Sequence, residues 1–133
     1  MAKINEWLTA RIKESGKTVY RIAKESGVES ETLMRWCKGI HEPTGFFTEV
    51  MLNYFDYEIR IDGIPYKLDE LGKYCKEKRA TDYIYTTDVS RKIGRNKNYI
   101  QTLVFYKRCM RFSKFEEVVN GYGGKVTIER KKK

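Results

Sequence analysis

The sequence predicts a mainly α-helical fold with a small amount of β-structure, built as two tandem units of about four helices that each end in a strand. Two observations lead to this prediction. A shift of 67 residues lays the small, glycine and apolar positions of the first half on those of the second half, which indicates an internal repeat. The chain has 133 residues, so each unit is close to the lower size limit for an independent core.

The repeat divides the chain into residues 1–62, a short linker at residues 63–67, and residues 68–133 with a basic tail. We name the two units the first lobe and the second lobe. The paired residues agree in character more than in identity. They are Ile22 with Val89, Ala23 with Ser90, Gly27 with Gly94, Leu33 with Ile100, Trp36 with Leu103, Asn53 with Asn120, Ile59 with Val126 and Ile61 with Ile128.

Helical periodicity places three helices in the first part of the first lobe. Apolar residues recur at intervals of three and four from residue 4 to residue 12, and Gly16 predicts the end of that helix. Thr18 is a suitable N-cap for a two-turn helix that ends at Gly27. A third helix is expected from Ser30 to Lys38.

A fourth helix and a strand complete the first lobe. The helix is expected to begin at Thr44 or Gly45, after the break that Gly39 and Pro43 make in the chain. Residues 57–62 then alternate between apolar and polar side chains, which is the period of a half-buried strand.

The second lobe follows the same order of elements. Its predicted helices cover residues 68–79, 88–93, 96–110 and 113–121, and its strand covers residues 125–130. Thr86 or Thr87 is expected to cap the second of these helices. Ser113 and Glu116 have the spacing of a capping box, which predicts the start of the fourth.

The composition is that of a folded, basic protein. Lys and Arg total 27 against 18 Asp and Glu, for a net charge of +9, and 41% of the residues are hydrophobic. No apolar run exceeds four residues, so we expect neither export nor membrane insertion, and a cytoplasmic location. The three cysteines, Cys37, Cys75 and Cys109, are far apart and are expected to be free thiols.

Catalytic and metal-binding functions find no support in the sequence. His41 is the sole histidine and the cysteines are scattered, so neither a zinc site nor a Cys–His pair has a suitable spacing. Residues 16–18 imitate the end of a phosphate-binding loop, but Arg11 stands where that loop needs a glycine. We therefore expect no enzyme activity, no cofactor and no metal.

One motif occurs in both lobes. In the first lobe it consists of Thr18, Ile22, Ala23, Gly27, Val28, Leu33 and Trp36, and in the second lobe of Val89, Ser90, Gly94, Ile100 and Leu103. This pattern resembles the helix-turn-helix of the phage repressor and Cro family, often called the Xre family. A small residue is needed where the two helices cross, and the glycine suits a positive φ. Arg95 departs from the apolar residue that usually follows the glycine.

The resemblance implies a sequence-specific regulator of transcription, typically a phage or mobile-element repressor, that binds double-stranded DNA. In this family the helix after the glycine turn enters the major groove. The charge distribution favours the second lobe for this task. Residues 1–62 carry 9 basic and 10 acidic side chains, a net charge of −1, whereas residues 63–133 carry 18 and 8, a net charge of +10.

The second lobe is therefore predicted to hold the main DNA-reading surface, because amides suit adenine and cations suit guanine or phosphate. The predicted DNA-binding residues are Arg95, Asn96, Lys97, Asn98, Gln101, Thr102, Lys107 and Arg108. Glu29 and Glu31 would repel phosphate, so the first lobe is a weaker DNA contact or a partner contact. Its candidate residues are Thr18, Ser30, Glu31, Arg35 and Lys38.

The resemblance also suggests how the two lobes assemble, because Cro-like proteins often dimerise through a strand that follows the helices. We hypothesise that residues 57–62 pair antiparallel with residues 125–130, which would make an intramolecular pseudo-dimer. A true homodimer, in which two basic lobes read a palindrome, is the alternative.

The sequence leaves two other functions open. One is an anti-defence (anti-CRISPR-like) inhibitor that binds a host protein through the first lobe. The other is RNA binding through rings that lie among cations. Those rings are Tyr83, Tyr85, Tyr99, Phe105 and Tyr106.

Overall fold

The structure of the protein, a computed structural model, describes residues 2–106 and 110–132. Within these residues the chain forms eight α-helices and one three-stranded antiparallel sheet. The predicted fold class, mainly α with a small β component, is confirmed. No helix in the described part of the chain has the length and apolar character that a membrane span requires.

The elements of the first lobe lie close to their predicted positions. They are α1 (Lys3–Ser15), α2 (Val19–Ser26), α3 (Ser30–Cys37), α4 (Gly45–Phe55) and strand β1 (Tyr57–Ile61). Gly16 and Gly27 end the first two helices with φ values of 70° and 80°, in the left-handed region that favours glycine. The Arg21 N–H donates to Thr18 Oγ1 at 3.1 Å, so Thr18 is the N-cap of α2.

The second lobe repeats this order of elements. After a 3₁₀ turn (Leu68–Glu70) come α5 (Leu71–Asp82), α6 (Thr86–Lys92), α7 (Tyr99–Phe105), α8 (Phe112–Gly121) and strand β3 (Val126–Arg130). When the bounds of the first lobe are shifted by 67, they fall within two residues of those in the second lobe. The same spacing that aligns the sequences therefore aligns the helices and strands.

Residues 63–67 were predicted as a linker, but part of this segment is a strand. Strand β2 (Ile64–Tyr66) forms a hairpin with β1, in which Ile61 faces Ile64 and Ile59 faces Tyr66. Asp62 and Gly63 make the two-residue turn, both with positive φ, as hairpin turns of this length require. Pro65 is tolerated because β2 is an edge strand.

The third helix of the second lobe is shorter than predicted. It was expected over residues 96–110, but α7 begins at Tyr99 and ends at Phe105. The Asn98 N–H donates to the side-chain oxygen of Asn96 at 2.9 Å, and this local turn replaces the first helical turn. Residues 107–109 of the prediction lie outside the described residues, and Met110 is not helical.

The predicted capping residues of the second lobe were wrong. Thr86 and Thr87 both lie inside α6, and Tyr85 precedes that helix without a side-chain cap. Ser113 is likewise inside α8, and both its N–H and its hydroxyl donate to Glu42 of the first lobe, at 2.8 and 2.7 Å. The carboxylate that satisfies the start of α8 therefore comes from the other lobe.

The predicted pairing of the two lobes' strands is confirmed. The sheet order is β2-β1-β3, and β1 pairs antiparallel with β3 from Tyr57↔Arg130 to Ile61↔Val126. A shift of 67 turns the pair Ile59↔Ile128 into Val126↔Ile61, which is also a pair, and turns Arg60↔Thr127 into itself. The pairing thus has the self-complementary register of a two-fold interface, but within one chain.

Two apolar clusters form the core. One lies among the helices of the first lobe and contains Leu8, Ile22, Leu33, Trp36 and Met51. The larger one combines the second lobe and the sheet with Ile4 and Leu52 of the first lobe. Polar contacts also join the lobes, because Lys3 pairs with Glu116 at 2.9 Å and the Leu68 N–H donates to Glu49 at 3.0 Å. The larger cluster therefore contains buried residues of both lobes.

Candidate nucleic-acid interface

The helix pair α6–α7 forms the candidate reading unit of the second lobe. Gly94 has a φ of 78° in the turn after α6, and the Arg95 N–H donates to the Ser90 carbonyl at 2.9 Å. Val89, Ile100 and Leu103 are buried, as the motif predicted for its apolar positions. The glycine turn, its hydrogen bond and the buried apolar side chains together set the direction in which α7 leaves the turn.

Ser90 holds the two helices together at their crossing. Its side chain is fully buried, and the Ile100 N–H donates to Ser90 Oγ at 3.2 Å. Ile100 lies in the first turn of α7, where backbone N–H groups have no partner within the helix. In the first lobe Ala23 occupies the equivalent position, and the Leu33 N–H donates to the Glu29 carbonyl instead. The Ser90 hydroxyl thus accepts an N–H that has no helical carbonyl partner, because α7 begins two residues after the position equivalent to the start of α3.

Six of the predicted DNA-binding residues lie in the turn and on α7, and all six are exposed. Arg95, Asn96, Lys97 and Asn98 belong to the turn before α7, whereas the prediction placed the last three on the helix. Gln101 and Thr102 lie on α7. Asn98, Gln101 and Thr102 are exposed while Ile100 and Leu103 are buried, as predicted. Lys107 and Arg108 lie outside the described residues.

The Arg95 side chain is held by contacts with other residues of the protein. Its guanidinium pairs with Glu117 of α8 at 3.2 Å and lies 4.7 Å from the centre of the Tyr99 ring. The bond to Glu117 raises the pKa of Arg95, so the group stays charged. Arg95 therefore packs over the Tyr99 ring, in the position that the motif usually gives to an apolar residue, and connects the turn to α8.

Other cations in this region form no ion pair with any described residue. They are Lys97 in the turn, and Arg91 and Lys92 in the last turn of α6; all three side chains are exposed. Arg91 and Lys92 were not among the predicted DNA-binding residues, although they lie just before the glycine turn. These unpaired cations give the α6–α7 surface its positive charge.

The equivalent surface of the first lobe is nearly neutral. Arg35 pairs with Glu31 at 2.8 Å along α3, and the exposed Glu29 and Lys38 oppose one another in charge. Thr18 is engaged as the N-cap of α2, and Ser30 is half-buried. Two large apolar side chains, Tyr20 and Met34, are exposed by 74% and 44%. This surface is better suited to a protein partner than to phosphate.

The predicted stacking rings are mostly accessible. Tyr83, Tyr85, Phe105 and Tyr106 are exposed, whereas Tyr99 is half-buried beside Arg95. Cys37 and Cys75 are free thiols, and Cys109 lies outside the described residues. Within the described ranges, no three metal-ligating side chains come together.

Comparison with known proteins gives no match. No family model matches the chain, and neither a curated protein nor a solved structure is significantly similar to it. The geometry and charge of the α6–α7 surface thus supply the basis for a functional proposal.

Proposed function

We propose that this protein is a sequence-specific regulator of transcription that binds double-stranded DNA and reads the major groove mainly with α7. The observation that carries the proposal is the exposed set Asn98, Gln101 and Thr102, held on a helix pair whose crossing is fixed by a buried hydrogen bond. This set belongs to residues 63–133, which carry a net charge of +10. An α-helix of this kind fits the width of the major groove.

The side chains divide naturally into base-reading and phosphate-binding groups. Asn98 and Gln101 carry amides, which can donate to and accept from the edge of adenine. Lys97, Arg91 and Lys92 are unpaired cations in the described structure and suit the phosphate backbone. Arg95 has a positioning role in this proposal, because Glu117 and Tyr99 already hold it.

The pairing of β1 with β3 supports a single-chain pseudo-dimer as the DNA-binding unit. Cro-like proteins place two reading helices about one DNA turn apart by pairing strands of two subunits. Here the pairing register has two-fold character within one chain, but only one of the two lobes is basic. The proposed binding site is therefore asymmetric, with specific contacts concentrated in one half.

The biological setting that the resemblance implies belongs to the same proposal. A protein of this kind would act as a phage or mobile-element repressor that occupies a promoter in the cytoplasm. Measured repression of a reporter that carries the selected DNA site would distinguish it from an activator.

Selection from a random pool of duplex DNA tests the proposal directly. The purified chain is incubated with the pool at about 50 mM and at about 200 mM salt, because phosphate attraction falls steeply with salt whereas base reading persists. We expect an enriched, asymmetric motif at both concentrations. A palindrome would instead support the homodimer.

A matched pair of variants locates the reading helix. The triple variant Lys97→Ala, Asn98→Ala, Gln101→Ala should lose specific binding, whereas Glu29→Ala, Glu31→Ala should retain it. Equal losses in the two variants would contradict the assignment of reading to the second lobe. An absence of any enriched motif would contradict the whole proposal.

The first lobe favours a second candidate function, binding to a host protein. Its exposed Tyr20 and Met34 lie on α2 and α3 beside charges that neutralise each other. If the protein is an anti-defence inhibitor that binds a host protein through the first lobe, the double variant Tyr20→Ala, Met34→Ala abolishes binding to that host protein and leaves DNA binding unchanged. Loss of both activities together would count against a separate protein-binding surface.

A further inference from the structure

A cleft of about 750 Å³ opens in the second lobe between α5, the start of α6 and the end of α7. Three cations of α5, Lys73, Lys76 and Arg79, line it, and none of its described lining residues carries a carboxylate. Their spacing of three residues puts all three on one side of the helix. The cleft therefore offers a positive wall to an anionic ligand.

The cations are available to a ligand. Lys76 and Arg79 form no ion pair with any described residue, and Lys73 lies 4.0 Å from Glu70 with most of its side chain exposed. The Arg79 guanidinium lies 5.2 Å from the centre of the Tyr85 ring, so a cation and a ring are already adjacent in the cleft. Charge-assisted contacts to phosphate are among the strongest that such groups form.

The other walls of the cleft are apolar and aromatic. Phe105 is 78% exposed and Tyr85 is 44% exposed, and both line the cleft. Large exposed rings of this kind provide a surface on which a planar base can stack. Thr86 and Thr87 add hydroxyl groups near the start of α6. Cations, rings and hydroxyls together match the parts of a nucleotide.

The first lobe does not share this arrangement. At the position equivalent to Gly72, Asn5 is buried and donates to the carbonyls of Trp36 and His41, at 2.9 and 2.6 Å. The positions equivalent to the three cations are Glu6, Thr9 and Ile12. At Gly72 a Cβ would come within 2.7 Å of Val104 Cγ1, so a side chain like that of Asn5 would require Val104 to shift. The cleft is therefore a property of the second lobe and not of the repeated fold.

We infer that the cleft binds a nucleoside phosphate, with the base against Phe105 and Tyr85 and the phosphate on Lys73, Lys76 and Arg79. The volume lies within the range of small-ligand sites. This binding does not depend on the proposed DNA binding. Gln101 also lines the cleft, so under the proposed function occupancy would change how α7 presents one of its base-reading side chains.

Isothermal titration of the full chain at about 200 mM salt tests the inference, because that salt concentration suppresses non-specific phosphate attraction. The probes are adenosine diphosphate, adenosine, inorganic phosphate and a single-stranded DNA of about eight nucleotides. We expect adenosine diphosphate to bind at least about tenfold more tightly than adenosine or phosphate alone. Only adenosine diphosphate has both a base for the aromatic wall and phosphates for the cationic wall of the cleft.

Two variants and a matched control locate the site. Lys76→Glu and Phe105→Ala should each weaken binding of adenosine diphosphate by about tenfold. Lys114→Glu makes the same charge change on an exposed position of α8 that is not among the cleft's lining residues, and should leave the affinity within about twofold. Far-ultraviolet circular dichroism checks that each variant is folded.

Several results would overturn the inference. These are an absence of binding by adenosine diphosphate, equal binding of phosphate alone, or an equal effect of Lys114→Glu and Lys76→Glu. If the single strand binds with the same sensitivity to the variants but adenosine diphosphate does not, the free nucleotide is ruled out in favour of a strand. No duplex DNA is used, so failure here is distinct from failure of the proposed DNA binding.

Discussion

The hydrogen bond between Ser90 and Ile100 should contribute measurably to stability, and Ser90→Ala removes it. Both residues are fully buried, and the Ile100 N–H donates to Ser90 Oγ at 3.2 Å. Because α7 begins at Tyr99, this N–H has no helical partner to replace the hydroxyl. The substitution therefore leaves a buried donor unsatisfied, which costs about 1–3 kcal/mol.

Urea denaturation followed by circular dichroism measures this loss. We expect the midpoint to fall while the slope stays constant, because the substitution changes stability and not the surface exposed on unfolding. For a chain of this size, a loss of about 1–3 kcal/mol corresponds to a decrease in Tm of several degrees.

Ser30→Ala provides the control, because it makes the same chemical change at the first residue of α3, where the Ser30 side chain forms no hydrogen bond with any described residue. It should change the free energy of unfolding by no more than about 0.5 kcal/mol. If the two variants are equally stable, the hydroxyl does not satisfy the start of α7, and the account of how the helix pair is fixed is wrong.

Three further predictions concern base reading, the sheet and pH. Asn98→Ala and Gln101→Ala should each reduce discrimination at one base pair by about 1–3 kcal/mol. Lys97→Ala should instead weaken binding to all DNA sequences and lower the dependence of the logarithm of affinity on the logarithm of salt concentration by about one unit. Fluorescence anisotropy over a salt series measures both effects. A uniform effect of all three would refute the division of roles. Arg60 is buried at the centre of the sheet and donates to Glu58, Glu129 and the Arg130 carbonyl, so Arg60→Met should cost about 2 kcal/mol in thermal or urea unfolding. A stability equal to that of the exposed variant Arg91→Met would contradict this role. The hydrogen bond from Tyr54, together with Lys17, lowers the pKa of Glu25 from 4.5 to about 2, so the stabilisation is present above pH 4.5 and is lost as the pH falls towards 2. The difference in stability between the natural chain and Glu25→Gln should therefore shrink over that interval, and a constant difference would refute the assigned cause.

Most helices could be predicted from local sequence because their signals are local. Glycine at residues 16, 27 and 94 adopts the left-handed conformation that ends a helix or forms the turn after it, and apolar spacing identifies the buried faces. The start of α7 could not be predicted in this way. There the side chain of Asn96 accepts a hydrogen bond from the Asn98 N–H, which gives the backbone an alternative to helical hydrogen bonding.

The candidate site was predicted in part. The exposure of Gln101 and Thr102 follows from helical periodicity, since Ile100 and Leu103 occupy the buried side, whereas Asn98 is exposed in the turn before α7. The engagement of Arg95 did not follow, because its partner Glu117 lies on another helix. The same reason applies to Glu42, which replaces the predicted cap of α8 from the opposite lobe.

The sequence by itself determined the repeat, the order of the helices, the two strands that end the lobes, the buried apolar positions of the helix-turn-helix motif and the excess of positive charge in the second lobe. These properties depend on residue spacing and composition, which are fixed before the chain folds. The tertiary structure alone decided the strand β2, the partners of Arg95 and Ser113, and the cleft beside Gly72. Each of these depends on groups that are distant in the sequence, and the packing of the two lobes against one another decides which of those groups come into contact.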